Sequence, residues 1–190
     1  MARLVYSAIA SLDGYIEDAA GSFDWAAPDD EVHAFVNDLE RNIGTYLYGR
    51  RMYETMRYWE SPPHEVSQSS VHGDYAAVWQ RADKIVFSTT LSETTTKRTR
   101  LEPTFDAEMV RQLKAETDSD ISIGGPTLAA HALGAGLVDE VDLFLHPIAV
   151  GAGKSALPVA SPLRLELQEE RRFASGVVYL RYDVTDAGYA

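Results

Sequence analysis

Asp120–Leu133 reads DISIGGPTLAAHAL, and it decides the fold. Ile121 and Ile123 alternate with Asp120 and Ser122, a two-residue period that predicts a short strand. Gly124 and Gly125 stop it. Pro126 then stands where proline is favoured, in the first turn of a helix over PTLAAHAL, because its missing N–H has no partner there anyway. A strand that passes through two glycines straight into a helix is the unit of an alternating α/β chain. The same unit recurs outward from this stretch. Upstream, TYLYG at Thr45–Gly49 runs into a helix at RRMYETM. KIVFST at Lys84–Thr89 follows a helix around Tyr75–Arg81, and a further helix is expected near Ala107–Ala115. Leu4–Ala10 is nearly continuous apolar sequence, as expected for a strand covered on both faces. Val32, Phe35, Val36, Leu39 and Ile43 recur at helical spacing, so a helix is expected over 29–43, with Pro28, Asp29 and Asp30 supplying its start. Ser61–Ser70 reads as a loop. Downstream of Gly136 the pattern changes to consecutive strands, EVDLFLHPIAV, LRLELQEERRF and GVVYLRYDV. Alternation followed by strands alone predicts a mixed, mostly parallel sheet flanked by helices, with antiparallel C-terminal strands, in one domain over 1–190.

Composition narrows the function. The 190 residues hold 17 Lys and Arg against 29 Asp and Glu, a net charge of −12. That excess of acid argues against a nucleic-acid or anionic-membrane footprint, so an anionic ligand must be held locally. With no cysteine, disulfides, thiolate metal sites and Cys nucleophiles are excluded, which fits a cytoplasmic protein. The five histidines, His33, His64, His72, His131 and His146, lack metal-ligand spacing, so no metal is expected. LVYSAIASL is too short for a membrane span and reads as a strand rather than a signal segment. GAGKS at Gly151–Ser155 is not a phosphate loop, because Ile148 occupies the required first glycine position and Pro158 and Pro162 break any following helix; a strand-to-strand turn is expected. No GxSxG elbow supports a hydrolase.

Three strand ends carry residues suited to an anion. Gly49, Arg50 and Arg51 follow TYLY, where two guanidinium forks meet backbone N–H groups. Ser88, Thr89 and Thr90 follow KIVF with their hydroxyls. Gly124 and Gly125 follow DISI and permit close approach of a backbone or a ligand. In open α/β sheets ligands bind at such carboxyl ends. Each motif alone also has a plain reading as a solvated turn, a cap or a tight turn.

Together, SAIASLDGYIED, TYLYGRRMYETM, KIVFSTT, DISIGGPTLAAHAL and VDEVDLFLHPIAVGAGKSALP resemble the successive blocks of the dihydrofolate reductase-like superfamily. They are most similar to the reductase domain of the bifunctional riboflavin-biosynthesis deaminase-reductase and its stand-alone relatives. The resemblance spans nearly the whole chain. It implies NADPH as cofactor, with Ala10, Gly14 and Ile16 bordering the nicotinamide and Gly49, Arg50, Arg51 and Met52 meeting phosphates, Arg50 or Arg51 at the 2′-phosphate. Ser88 and Thr89 would sit by the adenosine ribose phosphate, and Gly124, Gly125, Pro126, Thr127 and Leu128 by the pyrophosphate and nicotinamide ribose. It further implies a cis Gly124–Gly125 peptide and a homodimer through the terminal strands. WAAPDDEVHAF resembles the segment carrying the proton-donating acid of dihydrofolate reductases, which falls on Asp30; Asp29 and Asp30 are equally suited to capping a helix. Trp25 and Phe35 are candidate contacts for a small heterocyclic substrate, Phe35 being equally a core position. From Leu4 to Glu40 there are nine acids and no Lys or Arg, which suits an amino-bearing heterocycle better than a polyanion. No HxE or PCxxC motif is present, so deamination is excluded. The alternatives to a pteridine or pyrimidine reductase are a non-catalytic nucleotide-binding protein of the same fold and a true dihydrofolate reductase.

Overall fold

The strands read from Leu4–Ala10, TYLYG and DISIGG are sandwiched between two helical layers. In the computed structural model, which describes residues 1–68 and 70–185, β1 (Leu4–Ser11), β3 (Ile43–Gly49), β6 (Asp120–Gly124) and β7 (Glu140–His146) occupy the middle of an eight-stranded sheet. With β4 (Asp83–Phe87), β5 (Thr99–Glu102), β9 (Arg164–Arg172) and β10 (Val178–Thr185), the order is β5-β4-β3-β6-β1-β7-β10-β9. The first six are mutually parallel. β10 is antiparallel to both β7 and β9. This is the expected mixed, mostly parallel sheet with antiparallel C-terminal strands.

Alternation along β1 and β3 assigns side chains to the two faces. Leu4, Tyr6, Ala8 and Leu47 go to one, packed with Val110 of α5 (Ala107–Glu116) and Leu128, Ala129 and Ala132 of α6 (Pro126–Gly134). On the other, Tyr46 and Tyr48 meet Tyr53 of α2 (Arg50–Met56) and Tyr75 and Trp79 of α4 (Ser70–Arg81). Next to them, Val32 of α1 (Asp30–Glu40) packs with Phe144, Phe173, Val177 and Tyr179. Among the described residues no helix is long and apolar enough to cross a membrane, and no group of three His, Cys, Asp or Glu could hold a metal ion.

Several expectations need correction. α1 ends at Glu40 rather than reaching Ile43: Arg41 closes it with an N–H to the Asp38 carbonyl, and Ile43 belongs to β3. Its start is at Asp30, with Asp29 as the cap, whose carboxylate accepts the Val32 N–H at 2.9 Å. The expected loop at 61–70 contains α3 (His64–Gln68), which packs on α4; Ser69 lies outside the described residues. Among the described residues no peptide is cis, so the Gly124–Gly125 bond is trans. The turn into α6 is made instead by Gly125 at φ +88°, a left-handed conformation that glycine adopts without steric cost. The turn at GAGKS is built on β8 (Gly153–Ser155), antiparallel to β2 (Tyr15–Asp18) in a separate two-stranded sheet.

Candidate functional site

Because β4, β3, β6, β1 and β7 run parallel, their carboxyl ends share one edge of the sheet. Register makes the neighbours explicit: Gly49 pairs with Phe87, just before Ser88, and Tyr48 with Gly124. Ser11 pairs with His146. The glycines at this rim are there for close packing. A Cβ on Gly124 would stand 2.9 Å from the Tyr48 ring and 3.2 Å from Met52 Cγ, and one on Gly49 would touch Leu128 at 4.0 Å. Gly49, Met52, Gly124, Gly125 and Leu128 therefore form one continuous corner between β3, β6 and the first turns of α2 and α6.

Arg50 and Arg51 lie at the surface of that corner. Arg50 has Glu54 at 3.5 Å, and Arg51, 70% exposed, has Glu17 at 3.8 Å. Such loose, solvated pairs are worth little, so both guanidinium groups can turn to a phosphate at small cost. Ser88 is more committed: its Oγ accepts the Thr90 and Leu91 N–H groups at 3.1 and 3.0 Å. Thr89 is exposed. Pro126 and Leu128 are buried, and Thr127 is exposed on α6.

The SLDG turn is stapled to the exit of β7. Asp13 accepts the Ser11 hydroxyl at 2.6 Å and the Val150 and Gly151 N–H groups at 3.1 and 2.7 Å; the Ser11 hydroxyl and these amides hold its carboxyl below the usual range. Gly14, at φ +88°, donates to the Ser11 carbonyl and accepts from Ala156 N–H at 2.8 Å. Ile16 on β2 packs against the core face that holds Tyr6, and Ala10 is fully buried. The sequence reading did not single out Asp13 as this staple, and the aspartate and its amide donors are too far apart in the chain for spacing to reveal it.

Asp30 is exposed at the first residue of α1. The acid in electrostatic contact with the rim is its neighbour Asp29, which the Val32 N–H, the Ser175 hydroxyl and His146 keep below the usual carboxyl range. Trp25, in a 3-10 turn at Asp24–Ala26, packs edge-on against His146 with ring centroids 6.1 Å apart. Phe35 is half-buried on α1. Its ring lies among Tyr179, Phe173 and Phe144 at 4.8, 5.4 and 6.3 Å and under the Arg171 guanidinium at 4.7 Å, so its neighbours are those of a core residue.

A cavity of about 380 Å³ lies at the opposite, amino end of the strands, lined by Arg3, Glu40, Glu140, Asp142 and Arg181 among others. Its charges are largely matched within the fold. Arg3 meets Glu140 at 2.9 Å, Arg181 meets Glu169 at 3.0 Å, and Tyr179 donates to Asp142 at 2.8 Å. Burial nonetheless pushes Asp142 up to about 6 and Glu40 up to about 7.

An open α/β sheet with a glycine-lined, arginine-flanked rim is the class that fold and site define. The chain belongs to the family described as the RibD C-terminal domain, which it matches over residues 2–179. It is 29% identical to the Bacillus subtilis (strain 168) protein YyaP over 182 residues, 95% of this chain and 94% of that one. A Shewanella sp. PV-4 protein assigned to riboflavin biosynthesis superposes with a TM-score of 0.74 at 21% identity, covering 98% of this chain and all of that one. A pyrimidine reductase-like protein from Corynebacterium diphtheriae gives 0.66 at 16% identity, over 97% and 92%. A Thermotoga maritima deaminase and 5-amino-6-(5-phosphoribosylamino)uracil reductase also gives 0.66, at 15% identity; there this chain spans 57% of the longer protein.

Proposed function

We propose that this protein is an NADPH-dependent reductase that passes a hydride to a small heterocycle of the pyrimidine or pteridine class. Membership of the RibD C-terminal domain family supports an oxidoreductase in the broad sense, and the reductase names of two structural neighbours point the same way. The observation that carries the reading is the shared rim: the Gly49–Met52 corner, Gly124–Leu128 and the SLDG turn all border the carboxyl ends of adjacent parallel strands.

The donor set fits a phosphorylated dinucleotide. Arg50 and Arg51 offer guanidinium forks held by long ion pairs, beside the glycine corner that Gly49 forms with Leu128. Arg50 and Arg51 would hold phosphate, Gly125 to Leu128 the pyrophosphate, and Ala10, Gly14 and Ile16 the nicotinamide edge. NADPH, when bound, supplies the hydride. The protein's own part is to fix the SLDG turn through Asp13, to present a dry wall through Ala10 and Ile16, and to furnish a proton from the acidic side of the rim. Asp30, one residue from the Asp29 carboxylate that acts on His146, is the proposed acid, giving the proton directly or through a water it orders. The same reading carries a homodimer through the terminal strands, β9 being a sheet edge with Leu167 exposed.

The test is a titration of NADPH and NADH against wild type and the Arg50→Ala/Arg51→Ala variant, followed by NADPH oxidation with candidate pyrimidines and pterins. Removing both guanidinium groups is expected to weaken NADPH roughly tenfold or more while leaving NADH nearly unchanged, the scale of one or two charge-assisted hydrogen bonds. Unchanged affinity and preference would show the phosphate corner to be misplaced. Binding without turnover on any substrate would favour a nucleotide-binding protein that has lost the chemistry.

A further inference from the structure

Two shielded polar atoms sit on a pair of contacting rings at the carboxyl end of β7, and neither has a hydrogen-bond partner. His146 closes the strand beside Ser11 and is 7% exposed. Its Nε2 is cut off from solvent without a hydrogen bond, and so is Nε1 of Trp25, whose ring lies edge-on against the imidazole at an interplanar angle of 68°. An indole N–H can only donate, and a neutral imidazole nitrogen that carries no proton can only accept. Folded proteins leave few such atoms unsatisfied because the lost hydration is not recovered. Here the two sit on rings that meet edge-on without bonding to each other, so on the rim assigned to the ligand a donor and an acceptor stand together for one group that carries both complements.

The remainder of the imidazole is held. Burial pushes it below the ordinary histidine value, against the Asp29 carboxylate and a hydrogen bond with the Trp25 backbone, which favour the charged form. With that backbone contact made and Nε2 unpartnered, Nε2 is the nitrogen left for a ligand, in its neutral, accepting form. Trp25 sits in a three-residue 3-10 turn with no side-chain cap, so moving it disturbs little else.

We propose that His146 is a substrate-binding residue and the Trp25 turn its cover: a heterocycle presenting a ring carbonyl beside a ring N–H parts the two rings, its oxygen taking the Trp25 indole N–H and its N–H going to His146 Nε2. This rests on the reductase reading for the place of the substrate on the rim. It adds a residue and an edge chemistry that the reading alone does not contain.

The experiment uses the NADPH-saturated protein and two probes, lumazine and 1,3-dimethyllumazine, which share their rings but differ in whether the edge nitrogens carry hydrogen. The indole N–H resonance of Trp25, assigned by its loss in Trp25→Phe, is followed by NMR. Lumazine is expected to shift that resonance, and the dimethyl compound to bind roughly tenfold more weakly or not at all, the scale of one lost hydrogen bond to a buried group. His146→Phe should lower lumazine affinity by a similar factor, and His146→Gln, whose amide oxygen can still accept, should recover part of it. A Trp25 resonance that lumazine leaves in place, or a His146→Phe protein that binds lumazine like wild type, overturns the inference while leaving the reductase reading intact. Failure of NADPH to bind overturns that reading instead, and the probe effect at Trp25, measured without cofactor, then decides this one.

Discussion

Gly153→Ala tests whether the β2–β8 pair is what holds the SLDG turn against the sheet. A Cβ at this position would overlap the carbonyl oxygen of Glu17 and stand 2.9 Å from its carbonyl carbon and 3.0 Å from Cα of Asp18. Carbon atoms prefer roughly 3.5–4.0 Å. Backbone is the obstacle, so no rotamer change relieves the clash and the strands must part by roughly an ångström or more. Forced repacking of that kind costs about 1–3 kcal/mol. Because β8 spans only Gly153–Ser155, the pair can instead come apart, giving up ladder hydrogen bonds worth about 1 kcal/mol each. Either route releases Ile16 from the core face and loosens the turn at Gly14. Urea unfolding should show a midpoint lower by roughly 0.5–1 M for an m-value of about 2–3 kcal/mol/M. Amide exchange at Tyr15–Asp18 should quicken by one to two orders of magnitude while β1 and β3 keep their protection. NADPH affinity should fall with it. A variant with wild-type stability and unchanged exchange at β2 would refute the argument, since it would mean the close crossing at Gly153 is not a constraint.

Glu40→Gln addresses the acidic cavity. Burial, with the Asp142 charge nearby, pushes the Glu40 carboxyl from 4.5 up to about 7, so between these values the folded state keeps a proton that the unfolded chain has released, and stability falls as pH rises. At about 1.4 kcal/mol per pH unit the loss is at most about 3 kcal/mol. The variant should therefore gain about 1–3 kcal/mol over wild type at pH 8 and nothing at pH 4, measured by denaturant unfolding at both; an equal effect at the two pH values would sink it. For Gly124→Ala, Met52 can swing away from the new methyl but Tyr48 cannot, since its ring stacks on Tyr46 at 5.4 Å and its hydroxyl accepts the Trp79 indole N–H at 3.2 Å. The expected cost is about 1–3 kcal/mol, several degrees in a thermal melt, with weaker NADPH binding; an unshifted melt would show that the Tyr48 ring yields.

What could be read from the sequence, and what could not, follows from where each element gets its stability. β1 announces itself because both faces are buried, so nearly every residue is apolar whatever it pairs with; β3 and β6 show in the apolar TYLY and in the alternating isoleucines of DISI, each ended by glycine. β2, β5 and β8 are short and exist only through partners, in the case of Tyr15↔Ser155 across most of the chain; no local pattern carries that. α3 sits in a polar, proline-led stretch and takes its place from α4. Gly124 was legible as a site of close approach, but what approaches, Tyr48 and Met52, was not; Gly153 read only as part of a turn, and it is the backbone of Glu17 that crosses it. A one-residue register separates Asp30, which the resemblance selects, from Asp29, which caps α1 and acts on His146. Composition treats His146 as one histidine among five. Only the parallel register that sets it beside Ser11, and the turn that lays Trp25 across it, turn it into a candidate for binding. The rim is thus encoded in two ways. Backbone-permissive residues at strand ends are visible in the sequence, whereas the polar groups that would select a substrate come together only when β1, β7 and the turn before α1 are assembled. Relatives that share the glycines and arginines but differ at positions 25 and 146 are therefore expected to share a cofactor and diverge in substrate.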